Sequence, residues 1–200
     1  MDTNNEVFKR RNRSSLFLIE VIIAVFFFTI TAVICIRIFV KSHIISNNST
    51  IVTNGYIEAE NMASVFFNSG ANVDLITTYY SEYALILSQE GNYTGTILIC
   101  YDNDFNPIAH PADNIDNTIE SSAYELVLVQ SLNNAADEFA DCSSYEKNGY
   151  ACSATIYFFD VKLSDAIITD NIYYDPDFLD NYKLLELPLD MFLGDVDAGV

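Results

Sequence analysis

Hydrophobic and polar positions change their rhythm several times along this chain, and each change marks an element. Leu16 to Val40 reads LFLIEVIIAVFFFTITAVICIRIFV, a run with no charge between Glu20 and Arg37. As an α-helix it would extend about 37 Å, against roughly 30 Å of hydrocarbon in a bilayer. It is therefore expected to span a membrane. Beyond it, Ile44, Ile51, Val52, Tyr56, Ala59, Met62, Ala63 and Phe66 recur at helical spacing, so residues 41–68 are expected to continue the helix outside the membrane. The polar run Ser46–Thr50 and the pair Asn54-Gly55 are its weak points, because glycine costs about 1 kcal/mol against alanine in a helix interior. A kink is expected there, with two helices separated by a loop at Ser46–Gly55 as the alternative.

Asn68-Ser69-Gly70 should end that helix. Val73, Ile76, Thr77, Tyr80, Tyr83, Ala84 and Leu87 then predict a second amphipathic helix before Gly91. The composition next turns to strands. Thr96–Tyr101, Tyr124–Gln130 and Ala154–Leu163 are rich in β-branched and aromatic residues and bounded by turn formers. Ser131–Ala140 reads either as a short helix or as an irregular excursion. Near the C-terminus one further edge strand is expected, with Pro188 limiting its ladder, and the last residues form a tail. The fold class is α+β: a long N-terminal helix packed on a small antiparallel sheet, with residues 69–200 forming a head.

Charge orients this arrangement. Residues 1–15 carry Lys9, Arg10, Arg11 and Arg13, and a basic flank of this kind stays on the cytoplasmic side. The expected protein is single-pass, with a cytoplasmic N-terminus and an external C-terminus. Of the 28 acidic residues only Asp2, Glu6 and Glu20 precede Lys41, whereas Lys147, Lys162 and Lys183 are the only Lys or Arg after it. So acidic an exterior argues against a nucleic-acid partner, which needs a basic groove.

Glu20 is the residue that an ordinary anchor does not explain. An ionisable side chain costs about 2.5–3.5 kcal/mol at the centre of a bilayer and less toward its edge. The first helical turn, with its positive dipole end, offers one local remedy. The string Ser14-Ser15-Leu16-Phe17-Leu18-Ile19-Glu20-Val21, preceded by the basic cluster and continued by the apolar run, also resembles the processing motif of type IV pilins and type II secretion pseudopilins. The resemblance implies cleavage by a prepilin peptidase between Ser15 and Leu16, and N-methylation of the new terminus. It also implies that Glu20, fifth from that terminus, neutralises the α-amino group of a neighbouring subunit. Ser15 departs from the family, which has glycine there; small size is kept but backbone freedom is lost. The implied fold is pilin-like, with a helix about fifty residues long, half in the bilayer and half on the head. The implied role is a structural filament subunit, a minor pilin or pseudopilin, whose partners are other pilin-like subunits, the peptidase, and an assembly platform with its ATPase. An uncleaved, signal-anchored extracytoplasmic binding protein is the alternative.

Other chemistry is sparse. Cys142 and Cys152 flank a polar loop outside the membrane, where a disulfide would stabilise by about 3 kcal/mol if the two approach. Cys35 and Cys100 read as apolar residues. The stretch Asp102-Asn103-Asp104-Phe105-Asn106-Pro107 has alternating oxygens but no glycine at its bend, so a hairpin turn is expected rather than a calcium loop. Asp175, Asp177 and Asp180 form a second acidic group, and neither receives a metal. His43 borders the membrane and His110 precedes Pro111, with no nucleophile motif in view. No cofactor and no enzymatic activity are expected.

Overall fold

The computed structural model describes residues 3–109, 121–135, 149–161 and 183–195. The chain divides between Thr50 and Ile51 into two units. A single α-helix, α1 (Thr3–Asn68, 66 residues), contributes to both. Residues 3–15, read from the sequence as a leader without apolar periodicity, are helical too. Helical structure is unbroken through Ser46–Gly55, so the alternative of two helices and a loop is set aside.

The second unit is the α+β body. From Ile51 onward α1 packs on a five-stranded antiparallel sheet of order β1-β2-β3-β4-β5, an architecture consistent with a pilin-like fold. Its strands are β1 (Ala84–Glu90), β2 (Thr94–Tyr101), β3 (Tyr124–Asn134), β4 (Tyr150–Asp160) and β5 (Lys183–Gly194). Neighbours in sequence are neighbours in space throughout. The buried stripe of α1 is Gly55, Ala59, Met62, Ala63 and Phe66, at the spacing that places side chains on one helix face. Val52 and Tyr56, expected on that stripe, are exposed. Opposite it lie Ile97, Ile99 and Tyr101 of β2, Leu126 and Leu128 of β3, and Ile156 and Phe158 of β4.

Gly55 corrects the expectation built on its low helix propensity. It is buried beneath Phe158, and a Cβ added to it would come within 2.5 Å of that ring. The missing side chain lets helix and sheet approach. The helix then ends in a Schellman motif: Ala71 N–H donates to Phe66 O at 2.9 Å and Gly70 N–H to Phe67 O at 3.3 Å, with Gly70 at φ 63°. Ala71 and Phe66 are both fully buried in the same core, the apolar contact that accompanies this cap.

The second helix is shorter than its periodicity suggested. α2 (Val73–Tyr79) starts with Asn72 Oδ1 accepting from Leu75 N–H at 3.1 Å, and a turn at Tyr80 ends it. Ala84–Glu90, expected as its last turns, is strand β1. Ala84, Leu85 and Leu87 fit either period, and pairing with β2 across the tight turn at Gly91 decides for strand. Ser131–Asn134 likewise continues β3. β5 is the expected additional strand, and Pro188 sits on it opposite Thr155.

Gln130 links three segments. Its Nε2 donates to Ala71 O at 2.8 Å and Tyr93 O at 3.1 Å, joining β3 to the α1–α2 connection and the β1–β2 hairpin. The opposite face of the sheet carries a second buried group, Leu85, Leu98, Cys100, Val127 and Phe159. β2 is therefore buried on both faces, which accounts for its nearly continuous apolar sequence.

Candidate functional site

Ser15, Leu16 and Glu20 are consecutive parts of α1, and Leu16 and Glu20, four residues apart, share a helix face. From Leu16 to Val40 the helix is solvent-facing on nearly every side: Phe17, Phe28 and Phe39 are each about two-thirds exposed or more. This part of α1 is long and apolar enough to cross a membrane. Its polar side chains suit that setting. Thr29 Oγ1 donates to Phe26 O at 2.8 Å and Thr31 Oγ1 to Phe27 O at 2.7 Å, so the hydroxyls need no external partner. Glu20 differs from them, because its carboxylate has no hydrogen bond or ion pair among the described residues.

The body pairs several of its polar side chains. Tyr101 is fully buried, and its hydroxyl donates to Glu58 Oε2 at 3.2 Å across the helix–sheet interface. Burial, then the nearby Glu58 carboxylate, pushes the Tyr101 hydroxyl well above the ordinary phenol range. The same two causes, in the same order, raise Tyr80 to about 12. Asp102 makes the expected turn: its Oδ1 accepts from Asp104 N–H at 2.8 Å and Asn106 N–H at 2.9 Å. Those bonds, chiefly the one from Asn106, lower its carboxyl below the ordinary value. Among the described residues there is no group of three or more His, Cys, Asp or Glu arranged to hold a metal ion.

Cys152 lies near the start of β4. It stands opposite Leu132, fully buried in the main core, and its thiol is free with Sγ 3.5 Å from Tyr93 O. Burial pushes it up to about 12. Cys142, the other half of the expected bridge, lies outside the described residues, as do His110, Asp175, Asp177 and Asp180. Cys35 is an exposed thiol on the apolar helix, and Cys100 is buried on β2.

The sequence reading missed the Glu58–Tyr101 bond. Its only trace there is a carboxylate one residue before the buried Ala59, a position that also fits an exposed face. No protein-family model matches the chain, and the searches of curated proteins and of solved structures found no match either.

Proposed function

We propose that the chain is the precursor of a filament subunit of the type IV pilin or type II secretion pseudopilin kind. In this reading a prepilin peptidase removes residues 1–15, and Leu16 becomes the methylated N-terminus. The helices of neighbouring copies pack together in the membrane and then in the filament core, with the acidic heads outside. The observation that carries it is Glu20, a carboxylate with no partner among the described residues on an otherwise apolar, exposed helix surface. A charge in that setting is tolerable when a counter-charge meets it, and the α-amino group of an adjacent mature subunit supplies one. Lipid is as apolar as the helices, so packing and this ion pair drive association rather than a hydrophobic gain. The helix–sheet body supports the same reading.

Intact mass and N-terminal sequencing of the membrane-extracted protein, co-expressed with a prepilin peptidase, test the processing step. A species starting at Leu16 supports it, and one starting at Met1 overturns it in favour of an uncleaved anchor. Glu20→Ala tests assembly. Cleavage should persist while cross-linked polymer falls by more than about tenfold, the change expected from losing about 1.4 kcal/mol or more per contact.

A further inference from the structure

The head holds an open cleft of about 560 Å³ between the last turns of α1 and the short α2. Its volume lies in the range of small-molecule sites. Glu58, Asn61, Asn68, Tyr79 and Tyr80 line it, together with small and apolar residues. We propose that this cleft binds a neutral saccharide, with the Tyr79 ring as its stacking platform and Asn61, Asn68 and Glu58 as its hydrogen-bonding groups.

The chemistry of the lining selects that class. Tyr79 is 71% exposed, so its ring is accessible to a ligand, and Tyr80 meets it edge-on with centroids 5.0 Å apart. Tyr80 in turn packs against the core, so the platform is braced from below. The flat face of a pyranose, made of C–H bonds, fits an aromatic face in the way other apolar groups do. The side-chain amides of Asn61 and Asn68 have no partner among the described residues. They stand two helical turns apart, about 10 Å, which spaces them for the hydroxyls of adjoining sugar rings. Each amide offers donors and an acceptor, as vicinal hydroxyls require. Glu58 is fixed through Oε2 by Tyr101, which orients its carboxylate before any ligand arrives.

Charge removes the nearest competitors. Among the described residues no Lys, Arg or His lines the cleft, and the chain carries a net −19, so an anionic ligand meets repulsion there. A cationic ligand would find a single carboxylate, Glu58, among the described lining residues, and the trilysine comparison tests for it. A neutral polyol needs no counter-charge.

Saturation-transfer NMR on the full chain in phosphatidylcholine nanodiscs tests the assignment, with cellotriose, maltotriose and N,N′-diacetylchitobiose as probes and trilysine as the cationic comparison. Transfer to pyranose protons of at least one sugar is expected, unchanged by added salt. Affinity should fall about tenfold in Tyr79→Ala and in the double variant Asn61→Ala/Asn68→Ala, a loss of about 1.4 kcal/mol. It should be unchanged in Phe192→Ala, a distant exposed aromatic on β5. Because Tyr79 is outside the core, its removal leaves the fold intact. Absence of transfer from all three sugars, transfer that survives Tyr79→Ala, or binding confined to trilysine and abolished by salt would each overturn the proposal. Glu20 and the apolar helix play no part here, so either result leaves the filament reading to its own test.

Discussion

Replacing Gly55 with alanine sets two physical effects against each other. On helix propensity alone, Gly55→Ala should stabilise by about 1 kcal/mol. The structure opposes this, because the new methyl group would lie 2.5 Å from Cδ1 and Cε1 of Phe158 and 2.9 Å from Cγ. Those are ring atoms near the backbone, not the free end of a flexible chain. The ring itself has little room to move, since it stacks with Tyr124 at 5.8 Å and Phe105 at 6.2 Å between centroids. Overpacking of this kind costs about 1–3 kcal/mol, and a contact this short belongs toward the upper end. The net expectation is a loss of about 1–2 kcal/mol after the propensity gain. For a head of this size each kcal/mol lowers Tm by about 2–4 °C. Near-UV circular dichroism of the full chain in detergent reads this directly, because the 13 tyrosines report head packing rather than the membrane helix. Phe158→Leu supplies the control: it loses stability by itself, but in its background Gly55→Ala should become neutral or stabilising. A higher Tm for Gly55→Ala alone, or additive effects in the double variant, would refute the close-approach account.

Alkali offers a second measurement. Tyr101 and Tyr80 are both raised above their ordinary value of 10.0, so the folded head holds protons that the unfolded chain releases. Stability from these groups is complete below pH 10 and declines as pH rises toward 12 and beyond. Tm measured across that window should fall, and Tyr101→Phe should flatten the slope; an unchanged slope would remove Tyr101 as its cause. Cys152, also raised by burial, should resist alkylation at pH 8 in the folded protein and react on unfolding. Rapid labelling of Cys152 in the native state, followed by peptide mass analysis, would contradict its place in the core.

Much of the architecture is legible in the sequence. Leu16–Val40 could be read because a membrane-length apolar run has one economical solution, a helix whose backbone bonds are internal. The positions of β2, β3 and β4 and the stop at Gly70 followed from β-branched density and turn chemistry, and Glu20 stood out because a charge interrupts an oily run. Tertiary structure alone decided the rest. Ala84–Glu90 is locally compatible with helix or strand, and only the neighbouring β2 chooses between them. Gly55 reads as a flaw in one helix and becomes a fitting surface once Phe158 lies over it. Tyr101 and Glu58 are 43 residues apart, and no local pattern announces a bond whose two ends meet only when the helix closes on the sheet.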